Sequence, residues 1–166
     1  MENSKKKCKI SACSDNHAKH YCRVCKDKDS DHFARDCTQG IILYHGTRVS
    51  FIKSIIANGL QPSKHGRLDS GIYFTDRDTA ILISKHRGQG TGVAVFKCRV
   101  NTDEQSCVEG THPVWKGVTT STFQEWCLKD PLKHRIMGFE VIDGEFEDAV
   151  NLPRGEIIVN GSTMSN

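Results

Sequence analysis

The sequence predicts an α+β body preceded by a small metal-bound module, with the boundary near residue 40. Three observations point there. Five of the eight cysteines lie in the first 37 residues, beside His17, His20 and His32. Downstream, apolar runs of strand length are joined by long loops, and only two segments carry helical periodicity. No G-x-G-x-x-G or phosphate-loop pattern occurs, so a doubly wound nucleotide-binding sheet is not expected.

Length and composition agree. A chain of 166 residues holds one real core and an appendage rather than two full domains. The hydrophobic fraction of 37% and charged fraction of 26% suit a globular protein. No apolar run approaches the roughly 20 residues of a membrane span, so no membrane association is expected. Met1 to Lys9 is polar and basic with no apolar stretch behind it, which does not read as a secretory signal. The expected location is intracellular, in cytoplasm, nucleus or both. The net charge of +3 sits at the front: residues 1–40 carry nine Lys/Arg against six Asp/Glu, and the rest balances at fourteen against fourteen. Lys5, Lys6, Lys7 and Lys9 form either a solvated tail or a weak nucleic-acid contact or nuclear-import signal.

The N-terminal module spans residues 1–39. Its clearest unit is Cys22-x2-Cys25-x6-His32-x4-Cys37. A Cys-x2-Cys pair clamps one tetrahedral ion from a tight turn, and a nearby His/Cys pair completes the set. The intervening Lys26-Asp27-Lys28-Asp29-Ser30-Asp31 cannot build a core, so zinc would have to replace one. Cys8, Cys13, His17 and His20 make a second possible set of four, giving one or two zinc ions, closed consecutively or as a cross-brace. The rhythm is similar to a B-box or zinc-knuckle finger, though its spacings match neither well. Few aromatics (Tyr21, Phe33) are available for base stacking, so RNA binding is not specifically indicated, and a protein-interaction role is equally open. Thr38-Gln39-Gly40 reads as a linker to the body at 40–166.

In the body, Ile41, Ile42 and Leu43 lead into Tyr44-His45-Gly46-Thr47. An imidazole, a residue without a Cβ and a small hydroxyl together expose polar groups and backbone amides to a planar ligand. Val49, Ile52, Ile55, Ile56 and Leu60 recur at helical spacing, with Asn58-Gly59 as the stop. Gly71 to Thr75 reads as a short strand. Asp76 to Lys85 reads as a helix, with Ala80, Ile81 and Ile83 towards the core. Val93 to Val100 is a strand, followed by an irregular connection to Thr120. Phe123 to Lys129 and Arg135 to Ile142 are two more strands. Leu152 to Val159 is one more strand or a hairpin arm. Cys98, Cys107 and Cys127 read as ordinary thiols.

The order of these motifs is what is distinctive. Leu43-Tyr44-His45-Gly46-Thr47, an Ile-rich helix ending Asn58-Gly59-Leu60, then Gly71-Ile72-Tyr73-Phe74-Thr75 and a Val-Ala-Val-Phe strand resemble the catalytic domain of poly(ADP-ribose) polymerase-like ADP-ribosyltransferases. The resemblance covers about residues 41–142, and is nearest the small mono-ADP-ribosyltransferase-like members, including the virus-induced antiviral proteins of fish. It implies a split antiparallel β-sheet core and NAD as substrate. It implies that His45 holds the NAD ribose, that Gly46 and Thr47 meet the nicotinamide amide, that Tyr73 stacks on the ring and that Thr75 lines the pocket. The third catalytic residue, which contacts the ribose hydroxyls, maps to Glu125 in Phe123-Gln124-Glu125-Trp126-Cys127-Leu128, with Glu156 the competitor. His45, Tyr73 and Glu125 would then cleave the nicotinamide–ribose bond and transfer single ADP-ribose units to a protein or nucleic-acid acceptor.

The pattern is incomplete in places. A second stacking Tyr expected on the following helix is replaced by Leu82 or a neighbour, and residues 143–166 form a C-terminal extension outside the resemblance. The other readings are a catalytically inactive NAD- or ADP-ribose-binding protein and a zinc-finger adaptor. An RNA-end phosphate transferase of the broader superfamily would need clustered arginines, and Arg48, Arg67 and Arg87 are scattered along the chain.

Overall fold

A computed structural model describes residues 8–10, 13, 19–22, 24–33, 37, 39–146, 150–151, 156–159 and 162–165, the last three stretches as backbone only. The body is built on two three-stranded antiparallel sheets. The first has β1 (Ile41–Arg48) and β6 (His134–Asp143) flanking β3 (Val93–Val100). The second has β2 (Ile72–Phe74) and β4 (Cys107–His112) flanking β5 (Phe123–Leu128). Two helices, α1 (Ile52–Asn58) and α2 (Arg77–Gly88), complete an α+β fold. The α+β expectation holds.

The central strand β3 shows why. Val93, Ala94, Val95, Phe96, Cys98 and Val100 are all buried, because a middle strand is covered on both faces. Phe96 is the register partner of Phe139 on β6, with ring centroids 5.6 Å apart. Ile52, Ile56 and Leu60 from the α1 segment join the same core as Ile72, Phe74 and Leu128 of the second sheet. The two sheets thus share one apolar interior. Their backbones are stitched where Tyr44 N–H donates to the Thr75 carbonyl at 2.8 Å and Thr75 N–H donates to the Tyr44 carbonyl at 3.0 Å. That stitch sets the strand bearing His45 beside the strand bearing Tyr73.

Helix α2 begins at Asp76, whose carboxylate accepts from Thr79 N–H at 2.9 Å and from the Thr79 hydroxyl at 2.7 Å. It runs to Gly88, one turn beyond the expected end, and stops at Gln89 in the left-handed conformation. Its buried face is Ala80, Ser84 and Gly88, at i, i+4 and i+8. This corrects the expected inward face: Ala80 points in, but the larger Ile81 and Ile83 are only half-buried. Small residues win because the helix lies hard against β1. A Cβ on Gly46 would stand 2.7 Å from both the Ala80 carbonyl oxygen and Ser84 Cβ.

The sequence reading also missed a strand. Residues 107–112, taken as irregular, pair with β5 as β4, from Cys107 opposite Leu128 to His112 opposite Phe123. The segment Cys107-Val-Glu-Gly-Thr-His112 is polar at an exposed sheet edge and contains a glycine, so it lacks the apolar alternation that marks a strand. Beyond β6, the short strands β7 (Val150–Asn151), β8 (Glu156–Val159) and β9 (Ser162–Ser165) form an antiparallel meander. It covers part of the segment expected as one further strand or a hairpin arm.

The N-terminal module rests on the body. The Asn101 side-chain amide donates to the Val24 carbonyl at 3.1 Å, and Lys26 pairs with Asp130 in the turn between β5 and β6. Among the described residues its buried apolar side chains are Cys8, Ile10, Cys22, Val24 and Cys37, far too little apolar surface to hold a fold without further ties.

Candidate active site and metal-ligand clusters

A cleft of about 330 Å³ opens where the two sheets meet. His45 reaches it from the middle of β1. Its Nδ1–H donates to the Tyr73 carbonyl at 2.7 Å, which fixes the ring and leaves Nε2 as the nitrogen free to accept from a ligand. Burial holds the imidazole below the ordinary histidine range, opposed by the Tyr73 carbonyl and reinforced by the nearby Arg87 charge. Neutral His45 is therefore the resting form at neutral pH. Gly46 lines the cleft through its backbone, and its missing side chain is demanded by the approach of α2.

Tyr73 lines the same cleft and anchors the loop over it. Its hydroxyl accepts from Leu68 N–H at 2.8 Å and donates to the Asp69 carbonyl at 2.5 Å. Burial pushes this phenol up to about 12, so it stays protonated. Gly66 crosses the ring so closely that a Cβ there would meet the Tyr73 hydroxyl oxygen at 2.2 Å. Lys129 holds the loop's other side through the Leu68 and Ser70 carbonyls. Loop 61–71 is thus a tied strap, which the sequence showed only as a turn-rich connection.

Glu125 stands on β5, opposite Gly110 in register. It is only 8% exposed, and its Oε1 accepts no hydrogen bond among the described residues. Arg67 on the strap lies 3.6 Å away through Nε, within ion-pair reach but beyond a hydrogen bond. A buried carboxylate oxygen without a hydrogen bond is costly, and here the nearby Arg67 guanidinium offsets its charge. Thr75 is buried in the lining, and its hydroxyl donates to the Gln124 carbonyl at 2.8 Å, which keeps β5 in place beside β2.

The fold therefore brings His45, Gly46, Tyr73, Thr75 and Glu125 to one cleft. Thr47 is not among the lining residues; it pairs with Ala94 one step further along β1. Of the residues weighed as replacing the second aromatic, Leu82 is 45% exposed and turned away, and its neighbour Ile83 lines the cleft. Glu156 lies on β8, whose side chains are outside the described residues. Arg67 and Arg87, scattered in sequence, both reach the lining, as do His112, Trp115 and Phe123, none of which the sequence singled out.

In the N-terminal module, ligand atoms of Cys22, Cys25, His32 and Cys37 all lie within 4.8 Å of one another. His32 Nε2 is 3.5 Å from Cys25 Sγ, and its Nδ1 meets the Asp31 carboxylate at 2.8 Å, the second hydrogen bond typical of a metal-bound imidazole. Cys8, Cys13 and His20 form a second group, with Cys13 Sγ 3.3 Å from His20 Nε2; His17 lies outside the described residues. The groups are consecutive rather than cross-braced, and are tied by Ser30 N–H donating to the His20 carbonyl at 2.9 Å. Both donor sets fit zinc in kind and spacing.

Two antiparallel sheets meet at a cleft lined by a histidine, a tyrosine and a glutamate. The family model for the poly(ADP-ribose) polymerase catalytic domain matches residues 8–112, and the chain belongs to that family. Its class is the NAD-dependent ADP-ribosyltransferases. The matched span contains His45 and Tyr73 and ends before Glu125. No match was found among curated proteins.

Proposed function

We propose that this chain is a catalytically competent mono-ADP-ribosyltransferase, with His45, Tyr73 and Glu125 as its catalytic residues. The observation that carries this is the convergence of His45, Tyr73 and Glu125 on one cleft, the Glu125 Oε1 being buried and without a hydrogen bond among the described residues. Cleaving the nicotinamide–ribose bond builds positive charge at the ribose carbon, and a fixed carboxylate in a water-poor site stabilises that charge. The same carboxylate can accept from a ribose hydroxyl. Neutral His45 offers Nε2 to the neighbouring hydroxyl, and Tyr73 supplies a ring face for nicotinamide, with the Gly46 backbone and Thr75 around it. Thr47 would have to act through a shift of β1. Pinning ring and ribose together is the larger part of the task.

Transfer of a single unit is proposed on the likeness of the motif order to the small mono-ADP-ribosyltransferase-like members of the family. The Cys/His groups are proposed to hold two zinc ions, with His17 the fourth ligand of the second. Reduced thiolate ligands suit the cytoplasm or nucleus. The test is labelled NAD with purified full-length protein. Wild type should release nicotinamide and attach ADP-ribose to an acceptor, and His45→Ala and Glu125→Gln should each lower release by at least a hundredfold. Binding of NAD without turnover would leave an inactive NAD-binding adaptor as the correct reading.

A further inference from the structure

The strap over the cleft is tied at its base and again on both sides of one residue, Arg67. At the base, Ser63 N–H donates to the Gly71 carbonyl at 2.8 Å, and Gly71 N–H donates to the Ser63 carbonyl at 3.0 Å. Just before Arg67, Gly66 passes so close to the Tyr73 ring that no side chain fits there. Just after it, the Tyr73 hydroxyl accepts from Leu68 N–H and donates to the Asp69 carbonyl. Asp69 bends the chain in the left-handed conformation, with φ at 65°. Lys129, just past the end of β5, ties down the Leu68 and Ser70 carbonyls.

These ties fix two side chains beside Glu125. Leu68 fills the space over Gly110, where a Cβ would meet its Cδ2 at 3.1 Å, and Gly110 is the register partner of Glu125. Arg67 brings its Nε to 3.6 Å from Glu125 Oε1, although the arginine side chain is itself 52% exposed. Several rotatable bonds separate the Glu125 carboxylate from β5, so burial by itself does not fix where it points. Oε1 accepts no hydrogen bond among the described residues, and Arg67 is its ion-pair partner there. Turning away from that cation would leave a buried charge unpaired. Arg87, the other guanidinium in the lining, stands over Trp115 instead, 5.8 Å from the ring centroid. The orientation of Glu125 therefore depends on a side chain that the strap delivers.

We propose that Arg67 is a positioning residue for the transfer reaction, acting through Glu125 by aiming its carboxylate at the donor ribose. The inference rests on the transferase reading above. Tyr73 and Lys129 hold the strap, the strap holds Arg67, and Arg67 holds Glu125. At 3.6 Å the pair stands outside hydrogen-bond range, and catalytic contacts of this length commonly tighten in the substrate complex. A carboxylate misplaced by a fraction of its own size loses much of the stabilisation it offers to charge developing at the ribose carbon. The nicotinamide ring and the neighbouring hydroxyl are held by Tyr73 and His45, which Arg67 does not touch among the described residues. Loss of Arg67 therefore falls on turnover rather than on donor affinity.

The test follows nicotinamide release from NAD by full-length protein carrying Arg67→Met, Arg67→Lys or Arg67→Ala. Arg67→Met should lower kcat about ten- to a hundredfold and leave KM for NAD within about threefold. Arg67→Lys should recover part of the loss, because the charge returns without the planar fork. Millimolar guanidinium ion should raise the kcat of Arg67→Ala and leave wild type unchanged. An unchanged kcat would overturn the proposal and leave the transferase reading standing. So would an effect confined to KM, which would assign Arg67 to the donor's pyrophosphate. Thermal stability supplies a readout that needs no turnover. Arg67→Met should lower Tm by about 2–4 °C in wild type but leave it unchanged in a Glu125→Gln background, where no buried charge loses its partner. Equal losses in the two backgrounds would refute the pairing. If wild type releases no nicotinamide, the transferase reading fails on its own account, and this stability cycle still decides whether Arg67 holds Glu125.

Discussion

Replacing Gly46 with alanine sets a methyl group 2.7 Å from two atoms at once, the Ala80 carbonyl oxygen and Ser84 Cβ. Neither is the far end of a flexible side chain. The carbonyl oxygen belongs to the α2 backbone, and Ser84 is buried with its hydroxyl bonded to the Ile81 carbonyl at 2.8 Å. Relief to ordinary contact near 3.5 Å needs α2 and β1 to part by roughly 0.8 Å, an overpacking cost of about 1–3 kcal/mol. For a chain of 166 residues, that lowers Tm by about 2–12 °C. The displacement also carries Ile83 and Arg87 away from the cleft they line. Differential scanning fluorimetry with nicotinamide-release kinetics measures both effects. Gly46→Ala/Ser84→Gly should recover part of the stability but not all, because the Ala80 carbonyl remains. A Gly46→Ala variant as stable as wild type would refute the reasoning that packing demands this glycine.

Two further predictions concern pH and metal. Because burial holds folded His45 below its ordinary value near pH 6.5, the unfolded chain takes the proton first on acidification. Its contribution to stability is therefore complete above about pH 6.5 and is lost as pH falls from there through the folded value. Nicotinamide release should be level through neutrality, with an acid limb only below the ordinary histidine range; a limb centred at or above about 6.5 would contradict neutral His45 as the resting form. Removing metal with a chelator, or substituting Cys25→Ser, should unfold the N-terminal module. The body would lose the Asn101–Val24 hydrogen bond, about 1 kcal/mol, and the solvent-exposed Lys26–Asp130 pair, so its Tm should fall by a few degrees rather than collapse. Native mass spectrometry showing no zinc in protein purified without chelator would sink the metal assignment.

Local chemistry wrote much of this protein into its sequence. Cys22-x2-Cys25 and His32-x4-Cys37 lie close enough along the chain that a turn alone gathers their ligand atoms. The buried run at 93–100 and the Asp76 cap announce their strand and helix through residue type and spacing. The order of His45, Tyr73 and Glu125 was legible for a different reason, as a pattern of motifs rather than as geometry. Tertiary structure decided what those residues meet. The 3.6 Å approach of Arg67 to Glu125 spans 58 positions, and the stacking of His112 on Phe123 depends on pairing β4, an edge strand too polar to be read in advance. Gly46 carries the same lesson. In sequence it marks a place where backbone can face a ligand, and only the packing of α2 reveals the second demand on it. Spacing along a chain fixes contacts within a turn or two. Contacts between sheets are set by the register of distant strands, which no local pattern contains.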